Sequence, residues 1–120
     1  MTPWLTIDEA RDCLRHGTGQ GIRVAVLDSG VETDHPALEG LELADDLAVV
    51  EEGIQLEIAP GGGRDVFGHG TAVCDIIHRL APGAEIGSFR GLGAQLRSRT
   101  AIIREGARQA IDRGYHILNC

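Results

Sequence analysis

The sequence predicts an α/β fold, a mostly parallel sheet with helices on both faces, and three observations carry that reading. Short apolar runs alternate with helix-period segments along the chain, a pattern that implies right-handed crossovers between parallel strands. One of those runs, Ile22 to Leu27, is nearly continuous, as in a strand covered from both sides rather than one. Glycine is abundant, 17 in 120 residues, and most of it stands at the ends of apolar segments, where tight turns need it.

Thr6-Ile7-Asp8-Glu9 fits a capping box, in which a hydroxyl and a carboxylate satisfy the backbone donors that a helix start leaves orphaned. The helix it opens runs to about His16 with Ile7, Ala10 and Leu14 on one face, and Gly17 offers a left-handed stop. The first strand, Ile22 to Leu27, ends at Asp28-Ser29-Gly30. Leu41-Glu42-Leu43 and Gln55-Leu56-Glu57-Ile58 alternate, which predicts a hairpin turning at Glu51-Glu52-Gly53. Pro60-Gly61-Gly62-Gly63 must be a loop. Gly70 to Leu80 reads as a largely buried helix through Ala72, Val73, Ile76, Ile77 and Leu80, with Asp75 and Arg79 paired on the remaining side and Pro82-Gly83 as its stop. Ala84 to Phe89 reads as another short strand. Thr100 to Arg113 is an amphipathic helix, with Ile103, Ala107, Ala110 and Ile111 inward and Arg104, Glu105, Arg108 and Asp112 toward water. Gly114 ends it, and His116 to Asn119 begins a further strand. A strand so near the last residue leaves a parallel sheet with an open edge and a half-built core, so the expectation is the front part of a larger folding unit.

Composition removes several classes of function. Eleven basic against eighteen acidic residues give a net charge of -7, and no basic cluster interleaves with aromatics, which disfavours a nucleic-acid surface. Arg90, Arg97, Arg99 and Arg104, the only basic stretch, read as a loop leading into a solvated helix face. No apolar run approaches the roughly 20 residues a membrane span needs. Met1 to Leu5 shows neither a basic segment nor an apolar one of the secretory kind, and the expected location is cytoplasmic. Cys13, Cys74 and Cys120 are odd in number and widely spaced, which suits reduced thiols rather than disulfides or a zinc cage.

Two polar clusters interrupt the apolar text. Val24-Ala25-Val26-Leu27-Asp28-Ser29-Gly30 puts a carboxylate at the carboxyl end of a buried parallel strand, where α/β sheets collect their active residues. Asp65-Val66-Phe67-Gly68-His69-Gly70-Thr71 puts an imidazole between two glycines at the start of a helix. If that helix packs behind that strand, Asp28 and His69 meet. A carboxylate on one ring nitrogen would fix the tautomer and stabilise the imidazolium, leaving the other nitrogen as general base. The helix terminus beside His69 opposes protonation of the ring.

Asp28-Ser29-Gly30-Val31 with Asp34-His35-Pro36-Ala37-Leu38, and Gly68-His69-Gly70-Thr71-Ala72-Val73, resemble the aspartate and histidine motifs of the subtilisin-like serine peptidases, in that family's chain order. Ala81-Pro82-Gly83-Ala84 and Ile117-Leu118-Asn119 match the pattern that family shows further on, so the resemblance spans roughly residues 17 to 120. It implies a subtilisin-like α/β fold and a serine endopeptidase acting on peptides or proteins, with Asp28 orienting the histidine and His69 as general base and then acid. Asp65 resembles the acidic residue that precedes the histidine motif, in a loop-capping role. The departures are equally specific. The nucleophilic serine in its Gly-Thr-Ser context and the oxyanion asparagine belong to the family's later half, and Asn119 is not that asparagine. Residues 1–120 are thus expected to be the amino-terminal part of a single peptidase domain, inactive alone, whose partner is the remaining half of that domain. The alternative is a truncated module of that fold that binds or assembles without catalysis.

Other readings are weaker. Ser29 follows the aspartate in the motif, Ser88 lies in a strand and Ser98 precedes a helix as a candidate cap, so none suits a nucleophile. A metal held by Asp28, His35 and His69 is conceivable, but His35 before Pro36 reads as a turn residue, and neither metal nor cofactor is expected. His16, His78 and His116 show no partner spacing. Gly17-x-Gly19-x-Gly21 precedes its strand, whereas a dinucleotide loop must follow one.

Overall fold

A computed structural model describes residues 3–120; Met1 and Thr2, part of the segment read for a leader, lie outside the described residues. The strands are β1 (Arg23–Asp28), β2 (Asp45–Glu52), β3 (Gln55–Pro60), β4 (Glu85–Arg90) and β5 (Ile117–Asn119), and the helices are α1 (Ile7–His16), α2 (His69–Leu80) and α3 (Thr100–Asp112). The strands form one sheet in the order β3-β2-β4-β1-β5. All neighbours run parallel except β2 and β3, which form an antiparallel hairpin.

The unbroken apolar text of β1 is explained by two cores. Val26 packs with Val31, Leu38, Cys74 and Ile86 on the α2 side, while Ala25 and Leu27 pack with Phe89 and Ala110 on the α3 side. Successive side chains of a strand point to opposite faces, so the positions of β1 between its ends, Val24 to Leu27, must all be apolar when helices cover both. Each large side chain so enclosed contributes roughly 2 kcal/mol. Gly106, in the middle of α3, costs about 1 kcal/mol of helix propensity. It offsets that by proximity: a Cβ there would stand 2.6 Å from the Leu27 Cδ1 methyl, so a larger residue would require the buried Leu27 side chain or the helix to shift. Burial raises the Cys74 thiol pKa to about 11, in keeping with an inert, packed side chain.

At the amino end of the sheet a charged network spans the strands. The Tyr115 hydroxyl donates to Asp45 at 2.7 Å, and Arg113 reaches the other Asp45 oxygen at 2.9 Å. Arg23 stacks 4.3 Å over the Tyr115 ring and pairs with Glu85 at 2.8 Å. Burial first, then the Asp45 hydrogen bond, push the Tyr115 pKa up and keep the hydroxyl a donor.

Several expectations need correction. Gly17 is extended rather than left-handed; its N–H caps α1 by donating to the Cys13 carbonyl. Leu41-Glu42-Leu43 is a loop, not a strand, because Leu41 and Leu43 satisfy their apolar character against the α2-side core without a pairing partner. The strand proper starts at Asp45, and the hairpin turns at Gly53-Ile54. The α2 helix is not largely buried: Gly70, Thr71 and Cys74 are, but Ile76 and Leu80 are more than half exposed, since they face away from the sheet. Ile111 is likewise 70% exposed, because it lies off the face through which Ile103, Gly106, Ala107 and Ala110 of α3 meet the sheet. Ser98 does not cap α3; Arg99 holds the N-cap position, without a side-chain bond. The Thr6–Glu9 capping box is present as expected.

Candidate active site

The site forms where the carboxyl end of β1 meets the first turn of α2. The contact is possible because Gly70 has no side chain: a Cβ there would lie 2.0 Å from the Gly30 carbonyl oxygen. Gly68, at φ 114°, takes the left-handed conformation that turns the chain into α2 and puts His69 at its first position.

Asp65 organises this junction. One carboxylate oxygen accepts from the Ser29 hydroxyl at 2.7 Å and from the backbone N–H groups of Phe67 and Gly68 at 3.0 and 2.7 Å. The other accepts from the Thr71 N–H and hydroxyl at 2.9 and 2.5 Å. Burial alone would raise its pKa, but the bonds from Thr71, Phe67, Ser29 and Gly68 together outweigh burial and hold the carboxyl far below the usual range. The Ser29 hydroxyl in turn accepts from the Gly70 N–H at 3.0 Å, so the Gly70 and Thr71 donors of the α2 start both find oxygen. Glu32 closes the ring: its carboxylate accepts from the Asp65 N–H at 3.0 Å and its own N–H donates to the Thr71 hydroxyl at 2.9 Å. The loop-capping role of Asp65 is therefore what the geometry shows. The parts played by Thr71 and Glu32 escape sequence reasoning, and the only local signal for them is the spacing of Asp65 ahead of the helix start.

Within that frame Asp28 and His69 come together. The Asp28 Oδ2 lies 2.8 Å from the His69 Nδ1, and its Oδ1 accepts from the Ser29 N–H at 2.7 Å. Asp28 is 2% exposed, whereas the His69 side chain is 53% exposed. Nδ1 is turned to a buried carboxylate and no described residue bonds Nε2, an arrangement that suits transfer of a proton at Nε2 with the opposite side of the ring held. Beside it, Val66 and Phe67 stand exposed at the edge of a cavity of about 480 Å³ that also takes in Glu32, His35 and Asp75.

The remaining candidates fall elsewhere. Ser29 is consumed by Asp65 and Gly70, Ser88 is buried within β4 without a partner among the described residues, and Ser98 is exposed in a loop. His35 caps the short 3-10 turn Pro36–Leu38, its Nδ1 accepting from the Ala37 N–H, as its place before Pro36 implies. His16 and His116 do have partners that their spacing does not reveal: His16 pairs with Asp12 one helical turn away at 2.9 Å, and His116 accepts from the Arg23 N–H. Among the described residues no group of three or more His, Cys, Asp or Glu converges as metal ligands would.

The family model described as Subtilase family matches residues 19–120. The chain belongs to the subtilase family. Subtilisin BL from Lederbergia lenta is 32% identical over 111 residues, covering 85% of this chain and 37% of that protein. An alkaline protease from Alkalihalobacillus alcalophilus shows the same 32% identity, over 26% of its length. In fold, the subtilase chain resembles the crystal structure of a cold adapted subtilisin-like serine proteinase, with a TM-score of 0.58 at 20% identity, over 81% of this chain and 34% of that one. The subtilase region described here thus spans between about a quarter and two fifths of the length of these relatives.

Proposed function

We propose that residues 1–120 supply the acid and the base of a serine endopeptidase. The observation that carries this is the 2.8 Å contact from the buried Asp28 carboxylate to His69 Nδ1, with Nε2 turned outward. In the reaction Nε2 takes the proton of a serine hydroxyl as its oxygen attacks the peptide carbonyl, and then returns that proton to the departing amine. Asp28 keeps its negative charge throughout and stabilises the imidazolium that forms. None of Ser29, Ser88 or Ser98 hydrogen-bonds His69, so the nucleophile in this proposal comes from polypeptide outside residues 1–120, together with the oxyanion donors. That remaining part of the domain is the partner the reading requires.

The test is intact-mass analysis of the protein purified from its source after treatment with a fluorophosphonate, which reacts with an activated serine. A single adduct that disappears in the His69→Ala variant is the expected result. Absence of labelling, with the function of the protein unchanged by His69→Ala, would instead favour a non-catalytic binding module.

A further inference from the structure

The basic stretch that the sequence presents as a solvated surface divides in two. Arg99 pairs with Glu51 at 2.8 Å and Arg104 is exposed on α3, as a solvated face requires. Arg90 and Arg97 instead line a cavity of about 350 Å³ at the carboxyl end of β4, with Val49, Val66 and Ile102 as apolar walls. No acidic residue lines it. Arg90 and Arg97 form no ion pair among the described residues, as Arg15, Arg64 and Arg104 also do not, although the protein carries seven more negative than positive charges; what sets these two apart is that they line one cavity together.

This cavity adjoins the candidate active site through the backbone. The N–H groups of Gly91 and Leu92 both donate to the Asp28 carbonyl, at 3.0 and 3.1 Å, and Val66 lies three residues before His69. Arg90 stands in register with Asp28 across the sheet, and its Cδ lies 3.3 Å from where a Cβ on Gly30 would be. The loop carrying Arg97 is held by its own bonds, Gly93 N–H to Arg97 carbonyl at 2.9 Å and Leu96 N–H to Gly93 carbonyl at 2.9 Å. It also contains Leu96 at φ 53°, the one positive φ outside glycine among the described residues. Backbone strain of that kind persists where the surroundings over-determine a conformation, and it gathers at ligand clamps.

We propose that this cavity binds an acidic side chain, Asp or Glu, of the peptide that lies across the site. The proposal rests on the peptidase reading for the nature of the ligand. Two unpaired guanidinium groups over apolar walls match a carboxylate on a short aliphatic stem, and an anion there meets no opposing charge.

The experiment uses the His69→Ala form of the protein purified whole from its source, so that bound peptides stay intact. Fluorescent peptide pairs that differ only in Glu against Gln, with that position moved along the peptide, are titrated by anisotropy. At one position the Glu peptide should bind about tenfold more tightly, the scale of a charge-assisted hydrogen bond. The Arg90→Gln/Arg97→Gln variant should bring the Glu peptide to the affinity of its Gln partner and leave the latter unchanged. Should the double variant fail to fold, Arg97→Gln alone, in an exposed loop, should remove part of the difference. Equal affinities at every position, or a preference that survives both changes, would overturn the proposal. Hydrolysis by the unmodified protein separates the two readings. Cleavage without acidic preference sinks only the cavity assignment, whereas an Arg-dependent acidic preference in binding without any hydrolysis sinks the peptidase reading and retains the cavity.

Discussion

The two ends of the sheet are built from the same kinds of polar residue and reach opposite results. At the amino end, Asp45 sits between Arg113 and Tyr115, with Arg23 spanning to Glu85, and its carboxylate oxygens are spent on partners inside the network. At the carboxyl end, Asp65 is just as fully used by Ser29, Phe67, Gly68 and Thr71. Beside it, however, Asp28 holds only one nitrogen of His69, and the other nitrogen has no partner among the described residues. A saturated network pins elements together. A network that saturates every group but one, and leaves that one at the surface, is arranged for chemistry.

The comparison can be broken most sharply at His69. Under the proposed function, His69→Ala should lower kcat by about 10⁶ with stability unchanged, a magnitude known from the corresponding change in subtilisin rather than one derived from this geometry. Steady-state kinetics beside a urea titration checks both halves of the statement. A loss of activity matched by unfolding would place His69 with the pinning residues instead.

Gly70→Ala comes next. Its Cβ would require the Gly30 backbone to move, so a loss of about 1–3 kcal/mol is expected together with loss of the Asp28–His69 contact, visible as a changed His69 ring signal in NMR.

Asp65→Asn should cost about 2–3 kcal/mol, because a carboxylate serving five donors becomes an amide with one acceptor oxygen. The pH dependence sharpens this. Asp65 has a lower pKa folded than unfolded, so its stabilisation is complete above the ordinary carboxylate range and is lost as pH falls toward the depressed folded value. The urea midpoint of the wild type should therefore drop on acidification below about pH 5, with a shallower drop in the variant.

The smallest effect belongs to the amino end. Tyr115→Phe removes one hydrogen bond to Asp45 and keeps the ring under Arg23, so about 1 kcal/mol is expected, by thermal melting, with activity untouched. A change in kinetics from Tyr115→Phe would show that the two ends are coupled through the sheet.

Much of the molecule is legible in the order of its residues. The unbroken apolar run of β1 announces a strand covered on both faces, and the Thr6–Glu9 box announces the start of α1. The two motifs put Asp28 at a strand end and His69 at a helix start, and each stands there. These readings succeed because they use information local to one element: periodicity, caps and turn residues act over a few positions. The misreadings share a cause as well. Leu41-Glu42-Leu43 alternates without being a strand, and Ile76, Leu80 and Ile111 are apolar yet more than half exposed, because a side chain's own pattern does not say what lies opposite it.

By itself, then, the sequence determined the helices and the buried parallel strands but not the first strand of the hairpin, together with which residue types would stand at the carboxyl end of β1 and which family they resemble. Only the tertiary structure decided that Asp65, Thr71 and Glu32 close a ring beneath the histidine. It alone set Tyr115 against Asp45 across 70 residues of sequence, and turned Arg90 and Arg97 into a cavity while leaving Arg104 in water. The reason is physical: local propensities fix the direction of each side chain on its own element. Which charges then meet depends on the path of the chain between elements, and no short stretch of sequence encodes that path.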